Sequence, residues 1–332
     1  MRYIGRKTNL LAFIDKAIAP HAENIGTVFD AFAGTGSVAE HFKSLNKRVT
    51  TNDMLYFCYV IQRCLVCNNR VLKDAQKHID ALNALPARAN GFMHANYTLK
   101  GKRMFFTEEN GKKIDTVRQK IEEWRRTKKI TDALYFYLLT SLIYAVDKVS
   151  NVTGIYTSFL KEFQPNAKRP LKLLPVDTIV SDTNGHACLN KDITQVKTKT
   201  PVDLLYMDPP YNERQYSQYY HILETVAKYD HPKIHGVGGQ RDDNKSSSFC
   251  RKDEALDSLR KVVSNIPSKY VMMSYSSEGI VGKNDLMAMF REFGPTKLHK
   301  KKYKRFVSNK KDHEQKATFV YEYLFVCERS TK

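Results

Sequence analysis

An apolar run, Thr27-Val28-Phe29-Asp30-Ala31, breaks into the turn Phe32-Ala33-Gly34-Thr35-Gly36-Ser37, continues as a helical pattern to about Leu45, and returns as Arg48-Val49-Thr50-Thr51-Asn52-Asp53. A strand, a glycine-bearing turn, a helix and a second strand in that order open a parallel, doubly wound sheet. Glycine lets the backbone turn tightly there and come close to a ligand. The turn alone is common, and both the three-glycine dinucleotide fingerprint and the phosphate loop ending in Gly-Lys-Ser/Thr are absent. Asp53 adds weight, because a carboxylate closing the second strand can accept hydrogen bonds from both ribose hydroxyls of a nucleoside.

The rest of the 332-residue chain extends this unit. Thr8-Asn9 is placed to cap an amphipathic helix through Ala19. From about Tyr56 to Lys172 the pattern is mainly helical, with a basic stretch, Tyr97 to Arg103, that suggests a hairpin or exposed loop. Strand patterns resume at Val202 to Met207 and Lys269 to Tyr275, and Lys297 to Phe306 with Thr318 to Val326 alternates like a terminal hairpin. The expected architecture is one α/β domain from residues 1–56 and 179–332, interrupted by a helical insertion at 57–178. Long insertions at loop positions cost little and often carry recognition.

Lys and Arg total 54 against 35 Asp and Glu, a net charge of +19 that favours a polyanionic partner. With 42% hydrophobic and 11% aromatic residues, the charge does not signal disorder. The longest apolar stretch, Ala133 to Val146, is shorter than a membrane span and is fenced by Asp132 and Asp147. No signal-peptide core follows the charged start, so a cytoplasmic protein is expected. The six cysteines lack a second pair at ligand spacing, which predicts reduced thiols and no metal site.

Directly after the Val202–Met207 run stands Asp208-Pro209-Pro210-Tyr211. Two prolines fix φ and remove donors, so the Pro209 carbonyl is available as an acceptor beside the Asp208 carboxylate. Two acceptors facing one exocyclic amino group would bind both its hydrogens and help its nitrogen become a tetrahedral nucleophile. The Tyr211 ring offers a stacking face worth roughly 1–3 kcal/mol per base, comparable to the cost of unstacking one.

With these motifs in this order, the sequence resembles an S-adenosylmethionine-dependent DNA N6-adenine methyltransferase of the alpha group, which includes Dam-like enzymes and modification methyltransferases of FokI and NlaIII type. Arg2-Tyr3-Ile4-Gly5-Arg6-Lys7 matches the group's amino-terminal motif, Asn190-Lys191-Asp192 falls where it has an adenine-contacting acid, and Ser274 to Gly279 and Tyr303-Lys304-Arg305 resemble its later segments. The resemblance implies a Rossmann-like methyltransferase sheet with a terminal hairpin and a target-recognition insertion. It places Tyr3 and Lys7 beside the methionine end of S-adenosylmethionine, Asp30 near its amino group, Phe32, Gly34 and Gly36 around the pocket, Asp53 on the ribose and Asp192 on the cofactor's adenine. Transfer would be direct, to an adenine flipped out of double-stranded DNA, in the modification half of a restriction system whose endonuclease acts separately. No Pro-Cys pair is present for cytosine C5 chemistry, and Asp208, where N4-cytosine enzymes usually carry Ser, favours adenine. An RNA adenine methyltransferase and an inactive nucleic-acid-binding protein of the same fold remain open on the sequence.

For DNA contacts the candidates are the basic run Lys297 to Lys311, with Lys301, Lys302, Tyr303, Lys304 and Arg305 at its centre, and Arg241 and Lys245 in a polar segment that reads as a mobile loop. In the insertion, Asn151, Thr153, Tyr156, Lys161, Lys168 and Arg169 are candidate groove contacts. Which residue reads which base does not follow from sequence.

Overall fold

Seven strands make one mixed sheet: β1 (Thr27–Asp30), β2 (Arg48–Asn52), β3 (Ala187–Leu189), β4 (Val202–Met207), β5 (Ser268–Ser276), β6 (Thr296–Lys304) and β7 (Phe319–Glu328). The computed structural model describes residues 3–5, 7–88, 91–244, 246–304 and 319–330, with the backbone alone at 303 and 304. Spatial order is β3-β2-β1-β4-β5-β7-β6. The first five strands run parallel, while β7 is antiparallel to both β5 and β6. Unbroken burial over Leu204–Met207 of β4 and Tyr270–Ser276 of β5 matches strands covered on both faces. The apolar core on one side joins Phe29, Leu205, Met207, Val271 and Met273 to Leu259, Val262, Val263, Leu286 and Phe290 from helices Ala255–Asn265 and Lys283–Arg291. Strand order reverses between β1 and β4, the switch point at which doubly wound sheets bind ligands beyond their carboxyl ends.

The chain divides into two compact units. The sheet unit comprises Arg6–Met54, Ser181–Gln215 and Ser246–Lys332; the other comprises Met1–Gly5, Leu55–Val180 and Tyr216–Lys245. The expected division put 216–245 with the sheet. Those residues include helix His221–Lys228, whose Glu224 carboxylate accepts from the Tyr56 and Phe57 amides at 3.1 and 3.0 Å. A helix downstream of the Asp208 motif thus seats on a helical partner that sequence adjacency does not reveal.

In the helical unit, Glu108–Arg126 and Asp132–Val149 are capped by Thr107 and Thr131, whose hydroxyls accept from the amides of Asn110 and Leu134. The second of these is the expected apolar helix, and no helix among the described residues is long and apolar enough to cross a membrane. The stretch expected as a hairpin or exposed loop at 97–103 is the end of helix Phe92–Tyr97 and a 3₁₀ turn, Leu99–Gly101, capped by Thr98, with Leu99, Lys100 and Lys102 exposed. Near the amino terminus, Thr8 and Asn9 lie inside a 3₁₀ turn, Lys7–Leu10, that leads into helix Leu11–Ile18 without a side-chain cap. Cys58, Cys64, Cys250 and Cys327 are buried thiols, whereas Cys67 and Cys188 are disulfide-bonded, a correction to the expectation of six reduced thiols. Ligand spacing tests for metal sites and is blind to such bonds.

Candidate active site

Asp30 and Asp208 end neighbouring parallel strands on the two sides of the switch point, with Asp30 in register with Tyr206. The turn after β1 is tied to both neighbours: the Ala31 amide donates to the Tyr206 carbonyl and the Ala33 amide to the Asn52 carbonyl, each at 3.0 Å. Gly34 and Gly36 have φ of +52° and +84°, a region where L side chains are strained. The Gly34 amide donates to Asp53 Oδ2 at 2.9 Å. Asn52, unremarked in the sequence, donates to the Lys191 carbonyl at 3.1 Å and accepts from the Lys191 amide at 3.2 Å, which fixes the loop carrying Asp192. Asp192 itself is exposed and uses Oδ1 to cap the Ile193–Gln195 turn through the Thr194 amide and hydroxyl.

Lys7 is the buried cation of the site. Its ammonium lies 3.0 Å from Asp208 Oδ1 and 2.8 Å from Glu322 Oε1. Burial would lower its pKa, but the Asp208 and Glu322 carboxylates hold it well above the ordinary lysine value. Burial pushes the Asp208 carboxyl up to about 6; the Lys7 ammonium opposes that rise and the Glu322 charge reinforces it. Glu322 also accepts a hydrogen bond from the Ser274 hydroxyl. The resemblance puts Lys7 at the methionine end of the cofactor; the contacts seen here put it on the carboxylate that begins Asp-Pro-Pro-Tyr. Glu322 escaped the sequence reading because it sits inside an ordinary alternating strand, β7.

Behind the motif, the Tyr211 carbonyl accepts from the Ile280 amide at 2.9 Å, and the Tyr211 ring meets Tyr275 edge-on at 6.3 Å between centroids. Tyr275 is buried and its hydroxyl accepts from the Val281 amide at 3.3 Å. A β-carbon on Gly279 would lie 2.0 Å from the Tyr275 ring, so only glycine fits there. Phe32 packs edge-on against Phe249 at 4.8 Å.

These residues fit S-adenosylmethionine. Asp30 Oδ1 is buried without a hydrogen-bond partner, and burial, then the Asp208 charge, raises its carboxyl well above the ordinary range. A buried carboxylate at a strand end, with one oxygen unpartnered and the Phe32 amide serving the group, suits a cationic amino group that would favour its ionised form. The glycine turn gives backbone access, and the Asp53 carboxylate closes that turn at the end of β2. Among the described residues no cluster of His, Cys, Asp or Glu is placed to hold a metal.

The other candidates divide. Tyr3 belongs to the helical unit, where its ring stacks on Tyr220 at 4.8 Å while the Ile4 amide donates to the Tyr220 hydroxyl. Arg169, Thr153, Lys161 and Lys168 are exposed there. Asn151 and Tyr156 are fully buried: Asn151 donates to the carbonyls of Met104 and Leu160, and Tyr156 packs beside Asp147, so both brace the fold instead of facing a groove. Arg241 is likewise corrected. It is 1% exposed on a short ribbon, Ile234–His235 with Gln240–Arg241, and its guanidinium is held by Asp230 at 2.7 and 2.8 Å and by Asp243 at 2.8 and 2.9 Å. A cation so enclosed has no donor left for a phosphate. Lys301 and Lys302 project from β6, with Lys302 over the Phe319 ring at 4.5 Å. Tyr303 and Lys304 continue that strand in backbone, and Lys245 and Arg305 lie outside the described residues.

A family model described as D12 class N6 adenine-specific DNA methyltransferase matches residues 3–289. Among curated proteins, type II methyltransferase M.NlaIII from Neisseria lactamica is 34% identical over 336 residues, covering 99% of this chain and 100% of that one. Type II methyltransferase M.CviAII from Paramecium bursaria Chlorella virus 1 is 33% identical, covering 97% of each. Type II methyltransferase M.FokI from Planomicrobium okeanokoites is 33% identical over 345 residues, 99% of this chain and 53% of that protein. The chain thus spans the whole of some relatives and about half of others.

Proposed function

Because the chain belongs to the D12 class of N6 adenine-specific DNA methyltransferases, we propose that it methylates one adenine within a specific double-stranded site, as the modification partner of a separately acting restriction endonuclease in the cytoplasm. The observation that supports this most directly is the pairing of Asp208 with buried Lys7 at the switch point, beside Asp30 with its unpartnered Oδ1. S-adenosylmethionine, when bound, supplies a methyl group activated by a sulfonium.

The chain's own residues prepare the other reactant. Asp208 and the Pro209 carbonyl accept the two hydrogens of the adenine amino group, which turns its lone pair toward the donor. Tyr211, backed by Tyr275, stacks the flipped base and offsets part of the unstacking cost. Positioning two reactants in line supplies most of the rate enhancement, and no covalent enzyme intermediate is needed. Asp30 takes the donor's amino group, Asp53 its ribose, and Asp192 its adenine. Exposed Lys302 and Arg169 and half-buried Lys301, with Lys245, Tyr303, Lys304 and Arg305, carry phosphate contacts.

Incubation with isotope-labelled S-adenosylmethionine and unmethylated genomic DNA, followed by digestion to nucleosides, tests the reading. Label in N6-methyladenine that is lost in Asp208→Ala is the expected result. Label confined to a parallel RNA digest would overturn the DNA substrate, and label in neither would leave a binding protein.

A further inference from the structure

We propose that Glu322 is a positioning residue for methyl transfer: it holds the Lys7 ammonium so that Lys7 meets Asp208 at Oδ1, leaving Oδ2 as the acceptor for the target amine. The inference rests on the methyltransferase reading and adds to it a residue from the terminal hairpin.

The geometry follows from strand direction. Strands β1 and β4 deliver Asp30 and Asp208 at their carboxyl ends. Because β7 is antiparallel to β5, its early residues come to that same edge, and Glu322 stands in register with Ser276 at the end of β5. Glu322 is 3% exposed at its side chain and shares Lys7 with Asp208. An ammonium has three donors and no preferred plane, so a single carboxylate partner would not fix where it points. A second carboxylate does. The Ser274 hydroxyl donates to the same Glu322 oxygen that meets Lys7, which pins the carboxylate in turn.

Charge gives the arrangement a chemical consequence. Were Lys7 to serve Asp208 alone, the full ion pair would weaken Asp208 as an acceptor for amine hydrogens. Sharing the lysine with Glu322 divides that charge and keeps Asp208 a stronger base. The groups facing Asp208 are Lys7 from the amino-terminal turn, Glu322 from β7, Asp30 from β1 and Tyr206 from its own strand. Of these, Glu322 is the one that touches Lys7 directly.

The test is the pH dependence of single-turnover methylation in the full-length protein. Glu322→Gln removes a negative charge near Asp208, so the acidic limb should move to lower pH by about one unit. At neutral pH the rate constant should fall about tenfold, with S-adenosylmethionine affinity held within about threefold. Ser274→Ala works in the opposite direction: with its hydrogen bond gone, Glu322 draws Lys7 more strongly, Asp208 is less stabilised as an anion, and the limb moves up. A rate loss with an unmoved limb in Glu322→Gln, or an affinity loss as large as the rate loss, overturns the proposal. If Glu322→Gln does not fold, as judged by its melting curve, an unmoved or lowered limb in Ser274→Ala overturns it. Failure of the wild-type protein to label adenine overturns the methyltransferase reading instead, whatever the variants do.

Discussion

The Gly34 amide and the Asp53 carboxylate are joined by a 2.9 Å hydrogen bond, so the turn after β1 and the end of β2 are latched to each other. That carboxylate closes the turn at the strand end where the cofactor's ribose is proposed to bind. Asp53→Ala should therefore weaken S-adenosylmethionine binding by about 10- to 100-fold, the range expected for losing charge-assisted hydrogen bonds. Asp53→Asn, which keeps an acceptor for Gly34, should fall between the two. Calorimetric titration with the cofactor checks both.

Asp208 is the stronger acceptor when ionised, and burial raises its carboxyl to about 6. The acidic limb of kcat/KM, which reports the unliganded enzyme, should lie near pH 6. The same shift has a cost in stability. A folded-state pKa above the unfolded one stabilises below about pH 4 and loses that contribution as pH rises through about 6. Asp208→Asn lacks this loss, so its melting temperature relative to wild type should climb between about pH 4 and pH 6 and level off above.

Arg241 and Lys302 should separate structure from DNA binding. Arg241→Met strips a buried cation from Asp230 and Asp243 and should cost about 1–3 kcal/mol, below the usual figure for a broken buried pair because both carboxylates keep access to water. The salt dependence of DNA affinity should not change. Lys302→Ala should leave the melting temperature alone and reduce the salt slope by about 0.9, one phosphate contact.

Gly279→Ala places a methyl against the buried Tyr275 ring. Overpacking of this kind costs about 1–3 kcal/mol, and the displaced ring loses its edge-on contact with Tyr211. The expected result is a lower melting temperature together with weaker binding of DNA that carries a flippable adenine. Equal binding of wild type and variant would show that the Tyr275 backing is dispensable.

The β1, turn and β2 segment and the Asp208 motif were legible because their signals are local: an apolar run, a glycine turn, a carboxylate at a strand end. Belonging to the same sheet, Glu322 was not legible, since its role depends on β7 running antiparallel beside β5, and strand alternation carries no direction. Arg241 misled for a related reason. A charged residue in a polar segment reads as exposed, and only the fold brings Asp230 and Asp243 around it. Asn151 and Asn110 look like loop and helix-surface residues, yet their amides serve buried carbonyls that a sequence pattern does not count. At 97–103, glycine and basic residues suggested a strand turn, where Thr98 capping makes a helical one.

The register between β1 and β4 has a consequence for biosynthesis. Asp30 pairs with Tyr206 only after some 180 intervening residues have left the ribosome, about 10–35 s at ordinary elongation rates. Through that interval β1 has β2 on one side and an open edge on the other, a template for stray strand pairing. Helices of the insertion emerge in the meantime and can form from contacts near in sequence, well before the sheet closes. Slower translation past residue 53 would lengthen the exposure without changing the final fold, so the yield of active protein should depend on codon choice in the insertion more than in the sheet.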